Sequence, residues 1–214
     1  MVNVGRVGAW VVAGIFSVVV GACSSGTPAE PAASAPAPSA VPVSQPGLAT
    51  VTGKAAQGAV VALELPPGQP APPAPGPVVM DQRGQQFIPA VMFAQVGQPV
   101  EFRNGEGIPH NVYVTRNLGG AVQFNVSTDP GQAHTHVFDT AGMYEVACDI
   151  HPSMRATLAI VNSPHAALVA DFGTFTLMNV PPGAYELVTL YGNETSRRPI
   201  EVKGPHTEVG ASGS

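Results

Sequence analysis

The stretch Met143-Tyr144-Glu145-Val146-Ala147-Cys148-Asp149-Ile150-His151-Pro152-Ser153-Met154 joins a strand pattern to a loop of ligand-type side chains. Alternation along a strand puts Tyr144, Val146 and Cys148 on one face, so the thiol points where the apolar side chains point. Beyond Cys148, an imidazole and a thioether follow at three-residue intervals, at His151 and Met154. Thiolate and thioether are soft ligands that favour copper(I), whereas imidazole suits both copper oxidation states. His151 and Met154 fall in the loop before the next strand, from which they can fold back around one atom. A trigonal site of two histidines and one cysteine, with a weak axial methionine, then lacks one imidazole.

His110 is the candidate that completes the set. It opens His110-Asn111-Val112-Tyr113-Val114, where alternation aligns it with Val112 and Val114. Outward from there, short strands broken by Gly, Pro and Asn fill Val78 to Val161. They are expected at Val91 to Val96, Pro99 to Arg103, Asn111 to Thr115, His134 to Phe138, Met143 to Cys148 and Arg155 to Val161. Val100 and Phe102 alternate with Glu101 and Arg103, as in a half-buried strand. Regular strands at this spacing point to a β-sandwich or barrel, and no segment carries a long helical period.

On the N-terminal side, Pro66 to Pro77 holds seven prolines and reads as a spacer. Before it lies a short β-like pair, Thr50 to Thr52 and Ala59 to Leu65. On the C-terminal side, Ala166 to Val202 contains Asp171-Phe172-Gly173-Thr174-Phe175-Thr176-Leu177, then a Pro181-Pro182-Gly183 turn and Ala184-Tyr185-Glu186-Leu187. This reads as strand, tight turn, strand. A block of about 40 residues is too small for a sizeable core of its own. It is expected to borrow strands from Ala49 to Leu65, with the middle block inserted between them.

Composition agrees with a turn-rich β protein. The 214 residues include 24 Gly and 23 Pro, and only 11% are charged, against a usual ~25%. That disfavours a long helical bundle. A net charge of −5 with nine Lys plus Arg argues against nucleic-acid binding. Residues 1–22 read as a lipoprotein signal peptide: Arg6 is the one charge, and Val7 to Cys23 is uncharged and mostly apolar. Val20-Gly21-Ala22-Cys23 resembles a bacterial lipobox with valine in place of the commoner leucine, which makes Cys23 the lipidation site. An uncleaved anchor and ordinary secretion are the alternatives. Residues 23–48 form a Pro/Ala/Ser tether that buries no core. The chain has two cysteines, Cys23 and Cys148. With Cys23 lipidated, Cys148 has no disulfide partner in an oxidising compartment, and is either buried and inert or holding a metal.

The order His110, Cys148, His151, Met154 resembles the cupredoxins, and the short ligand loop with Pro152 after the second histidine is most similar to that of amicyanin-type blue copper domains. The resemblance implies one mononuclear type 1 copper ion on these four residues, in a Greek-key β-sandwich. It also implies that Asn111 braces the site by hydrogen-bonding near the cysteine. Asp149 departs from the pattern, since the family usually carries Ser or Thr there. Pointing inward, its carboxylate would favour copper(II) and lower the reduction potential. The last block resembles the carboxypeptidase-regulatory-like β-sandwich through Phe172-Gly173-Thr174-Phe175 and Asn179 to Tyr185. The pairing of the two blocks is similar to a group of exported bacterial proteins described as methylamine-utilisation-like. The expected fold is all-β: a cupredoxin sandwich at 78–162, inserted in or followed by a small transthyretin-like sandwich. The latter takes in residues 49–65 and 163–205, with a linker at 66–77 and a flexible tail at 206–214.

The function this implies is an exported carrier of single electrons between redox protein partners, held at the membrane by its N-terminal lipid. Residues 77–162 carry seven Asp or Glu against four Arg, a mild negative field suited to a basic partner. The competing readings are copper storage or delivery at the envelope and a metal-free adhesion or scaffold lipoprotein. Enzyme activity is not expected: the chain has no HxxE or HExxH zinc signature and no additional copper-ligand cluster of the kind an oxidase needs. His134 and His136 share a strand face, as a second metal site or as a solvated edge, and no third ligand is identifiable nearby.

Overall fold

The structure, a computed structural model, describes residues 45–210 apart from 67, 70 and 75. The signal peptide, Cys23 and most of the tether lie outside the described residues. The described strands form four sheets.

Two of the sheets enclose the ligand stretch. One is four-stranded, in the order β4 (Gln86–Ile88), β3 (Val78–Arg83), β6 (Pro99–Asn104), β9 (Ala133–Val137). The other is five-stranded, in the order β5 (Val91–Gln95), β11 (Arg155–Val161), β10 (Gly142–Ala147), β7 (His110–Arg116), β8 (Val122–Thr128). Period-two alternation sends Met80, Val100 and Phe102 inward from the first. Val112, Val114, Tyr144, Val146, Leu158 and Ile160 point inward from the second. The six strands expected here are present within a residue or so at their ends, and β3, β4 and β8 add to them.

The flanking segments form the other two sheets. β1 (Ala49–Lys54) lies between β13 (Thr174–Val180), antiparallel, and β16 (His206–Val209), parallel. The remaining sheet runs β12 (Ala166–Leu168), β2 (Val60–Glu64), β14 (Gly183–Tyr191), β15 (Glu194–Val202). Val51, Val61, Leu63, Phe175, Leu177, Leu187 and Val202 meet between these sheets. Residues 206–209 are therefore ordered strand where a flexible tail is expected. They are held because Val209 packs over Gly53, where an added Cβ would stand 2.7 Å from the valine and 2.6 Å from the Phe175 ring.

Two further differences from the sequence reading concern the last block. Asp171–Gly173 is a 3-10 turn, and the strand begins only at Thr174. Phe172 sits there at φ 68° and is 95% exposed. The Pro181-Pro182-Gly183 turn joins strands of different sheets, since β13 pairs with β1 while β14 pairs with β2 and β15.

The sheet containing β2 is covered on both faces. Val61 and Leu63 face the small sandwich core, while Val60 and Ala62, with Val188 and Leu190 of β14, pack on Met143, Ala159 and Val161 of the five-stranded sheet. Coverage on both sides explains the unbroken apolar run Ala59-Val60-Val61-Ala62-Leu63. The four sheets thus stack as successive layers. Met143 begins β10, whereas Cys148 follows its end; Ala159 and Val161 are likewise at the end of β11 remote from Met154. The contact between the sandwiches therefore leaves the ligand-bearing end uncovered. The Pro-rich segment is strapped down and does not hang free: Gln95 Nε2 donates to the Pro72 carbonyl, and Gln98 Nε2 to that of Gly76 at 2.7 Å.

Candidate metal centre

Three of the four expected ligands converge on one point. His110 Nδ1 and His151 Nδ1 are 3.0 Å apart, and Cys148 Sγ lies 3.9 Å from each. Among the described residues, this is the group of His, Cys and acidic side chains whose ligand atoms cluster tightly enough for an ion. With metal–nitrogen bonds of ~2.0 Å, a point in the plane of the three atoms falls ~2.3 Å from the sulfur, close to ordinary metal–thiolate distances. The donor set and its spacing fit a trigonal two-histidine, one-cysteine site. Met154 is buried in the same core cluster as Cys148, and its thioether would be the weak fourth donor of such a set. Its backbone closes the loop: Cys148 N–H donates to the Met154 carbonyl at 3.2 Å, and Met154 N–H to that of His151 at 2.9 Å.

Strands place two of the ligands, and the loop between β10 and β11 carries the other two. β10 delivers Cys148 inward beyond Tyr144 and Val146, and β7 begins with His110, fully buried beside Val112 and Val114. His151 is half-buried between two exposed neighbours, Ile150 and Pro152.

Around the ligands, a polar frame fixes the loops. His110 Nε2 lies 3.1 Å from Glu106 Oε2. Donation to that carboxylate leaves Nδ1 with its lone pair free for a metal. Glu106 is held below its ordinary pKa, chiefly by the Gln85 backbone N–H at 3.0 Å and further by His110. Beneath this loop, Asn104 donates to the carbonyls of Ile108 and Thr128, each at 2.8 Å. Gln82 donates to the Asn111 carbonyl at 3.0 Å and accepts from the Thr128 hydroxyl at 2.7 Å. These buried groups are satisfied by one another and by backbone, which makes the ligand end rigid.

Asn111 braces the loop: its Oδ1 accepts from the Asp149 N–H at 2.7 Å and from the Ile150 N–H at 3.4 Å. Asp149 is exposed, and its carboxylate accepts from Asn111 and Asn125, so it is taken up by amides beside the loop. The inward carboxylate considered from sequence is not what forms. His134 and His136 flank the Phe124 ring, with centroids 4.9 and 4.6 Å from it, and bring no further ligand with them.

The sequence reading did not identify Glu106, Gln82, Asn104, Thr128 or Asn125. Alternation does place Gln82 on the inward face with Met80, and a buried glutamine on such a face is a signal of a polar frame. Glu106 reaches His110 across an irregular loop, which no periodicity reveals. Glu106→Gln is expected to lower copper affinity about tenfold, the usual weight of an outer-shell partner, with thermal stability little changed. Competition titration against a chelator of known affinity checks it; an affinity equal to that of the parent protein would show that the carboxylate does not orient His110.

Comparison with known proteins agrees with this geometry. Residues 77–161 match the family described as copper binding proteins, plastocyanin/azurin family. Amicyanin of Paracoccus denitrificans is 32% identical over 88 residues, covering 41% of this chain and 67% of that protein. The methylamine utilization protein MauL of Methylophilus methylotrophus is 31% identical over 101 residues, covering 46% and 58%. The chloroplastic plastocyanin of Tetradesmus obliquus is 33% identical over 75 residues, covering 30% and 50%. Residues 77–161 span the sandwich that carries the three clustered ligands.

Proposed function

The chain belongs, through residues 77–161, to the plastocyanin/azurin family of copper-binding proteins, and on that premise we propose that it is an exported type 1 copper protein that carries single electrons between redox partners at the cell envelope. The observation that carries this reading is the convergence of His110 Nδ1, His151 Nδ1 and Cys148 Sγ at 3.0 to 3.9 Å, from the ends of two adjacent strands and the loop that follows one of them. His110, Cys148, His151 and Met154 are the ligands. Bound copper supplies a one-electron couple between its two oxidation states.

The protein's own contribution is to hold the ligands in one geometry for both states. His110 is locked by Glu106 on one side and by the β7 ladder on the other. Cys148 is fixed by its backbone bond to Met154 and by the neighbouring N–H groups on Asn111. With little to rearrange, an electron enters or leaves without bonds forming or breaking in the protein. His151 provides the exit: it is half-buried, and Ile150, 53% exposed, and Pro152 flank it with apolar surface. A partner that docks there excludes water from the short path to the imidazole. The chain is an electron carrier and not an enzyme.

Further parts of the reading rest on sequence resemblance. Val20-Gly21-Ala22-Cys23 supports a lipid anchor at Cys23, with residues 23–48 as the tether. The small sandwich built from β1, β2 and β12–β16 is of the carboxypeptidase-regulatory-like type, and serves as a platform for the copper domain. Copper storage or delivery with the same ligands is the second reading; burial of Cys148 and Met154 disfavours it, because exchange needs access.

The test is a visible and EPR spectrum of the chain from Ser24 onward, loaded with one equivalent of copper(II). Intense blue colour with a small copper hyperfine splitting, and slow copper loss to a strong chelator, is the expected result. A pale, widely split spectrum would mean ordinary nitrogen and oxygen ligation and would overturn electron carrying. Rapid copper loss from a blue site would favour copper handling.

A further inference from the structure

The Asn125 side chain bonds to Asn111 and Asp149, neither of them a ligand, and so closes a ring of side chains against the ligand loop. Asn111 opposes Ser127 across the β7–β8 ladder, which puts Asn125 diagonally beside it. Asn111 Nδ2 donates to Asn125 Oδ1 at 2.7 Å and to Asp149 Oδ2 at 3.2 Å. Asn125 Nδ2 donates to the same Asp149 oxygen at 2.8 Å. The ring is completed through Asn111 Oδ1, which accepts the Asp149 and Ile150 N–H groups.

The donor and acceptor roles in this ring are forced. A carboxylate only accepts, so Asn125 must turn its NH2 toward Asp149 and its oxygen toward Asn111. Asn111 must then turn its NH2 outward and its oxygen toward the loop. The backbone N–H groups of Asp149 and Ile150 call for the Asn111 oxygen as well, so the amide is held in one orientation from both sides, one of them β8, a strand that carries no ligand. A serine or threonine at 149 could donate or accept and would demand no donor from Asn125. Asp149 and Asn125 thus act as a matched pair.

We propose that Asn125 and Asp149 form an outer clamp that fixes the Asn111 amide and, through it, the backbone that follows Cys148. Asn125 is a positioning residue of the site. The inference deepens the copper reading and rests on it for its functional meaning, but the clamp itself exists in the metal-free protein and can be tested there.

The experiment measures amide hydrogen exchange at Asp149 and Ile150 in the metal-free chain, with amides of β1 and β2 as a reference for global stability. Asn125→Ala is expected to speed exchange at both loop amides about fivefold, the weight of one net hydrogen bond, with the reference amides unchanged. Asn125→Asp sets two carboxylates against each other and is expected to speed it further. Asn125→Asp combined with Asp149→Asn restores an amide facing a carboxylate and should bring exchange back to within about twofold of the parent. The same series, copper-loaded, should show its widest EPR hyperfine splitting in Asn125→Asp and a return toward the parent value in the double variant. Loop exchange in Asn125→Ala and Asn125→Asp within twofold of the parent, or no recovery in the double variant, overturns the clamp. If the parent chain gives no blue site at all, the copper reading falls, while the exchange series still decides whether the clamp exists.

Discussion

Cys148→Ser is expected to abolish the intense visible absorption of the copper-loaded protein entirely and to replace a narrow hyperfine pattern with a wide one. The thiolate is the soft donor of the trigonal set, and its sulfur lies 3.9 Å from each imidazole nitrogen. A serine hydroxyl in its place is shorter in reach, harder, and protonated at neutral pH. Two imidazoles remain 3.0 Å apart, so some copper(II) binding persists, but without charge transfer from sulfur. The fold should survive. Cys148 is buried at the end of a strand, and an unsatisfied hydroxyl there costs about 1–3 kcal/mol. Circular dichroism of the metal-free variant separates loss of the site from loss of the protein. An intense blue spectrum in Cys148→Ser would remove the thiolate from the ligand set.

Val188→Asp carries the largest expected loss of stability. Val188 is 1% exposed and lies in the apolar layer where the small sandwich meets the five-stranded sheet, with Val60, Ala62, Met143, Ala159 and Val161 around it. The neighbouring cation, Arg197 directly across the β14–β15 ladder, is already taken up by Glu64 and Glu186, so a carboxylate at 188 is left short of a partner, and stranding a buried charge costs about 3–5 kcal/mol. That is a large part of the ~5–15 kcal/mol total stability of an ordinary protein. Because the layer joins the two sandwiches, both are expected to lose stability together, seen as a lowered denaturation midpoint for reporters in each. A variant in which the copper domain melts at its original temperature while the small sandwich is lost would show that the layers are energetically separate.

Much of the site was legible because a strand's period of two is strict. Cys148 shares a face with Tyr144 and Val146, and His110 with Val112 and Val114, so two ligand positions follow from the strand ends that carry them, while His151 and Met154 follow from their three-residue spacing in the loop. The frame was less accessible for a physical reason. Asn125 meets Asn111 only through the register of β8 on β7, and Glu106 meets His110 only through an irregular loop; neither relation is written in local periodicity. Asp149 shows the same limit in reverse. Its residue type is visible in the sequence, but the direction of its carboxylate depends on two amides from other strands. The turn at Asp171–Gly173 lies inside the Asp171 to Leu177 stretch that reads as one strand, because a local reversal of backbone sign leaves no mark in residue type at Phe172. Phe172 breaks out of it at positive φ, where Gly173 O accepts from the Ala55 N–H at 2.9 Å.

The parallel pairing of β1 with β16 has a consequence for how the molecule assembles. Among the described strands, the first made by the ribosome waits for the last, since Thr50 aligns with His206 and Gly53 with Val209. Bringing such distant partners together is slow, and the loop entropy is reduced only if the intervening chain has already condensed. The copper domain, whose strands are contiguous in sequence, can condense first and act as the staple that draws the two ends of the small sandwich to one place. The biogenesis of the protein then runs from the inside outward, and a chain lacking β16 would leave β1 with an open edge and Gly53 covered by Phe175 alone.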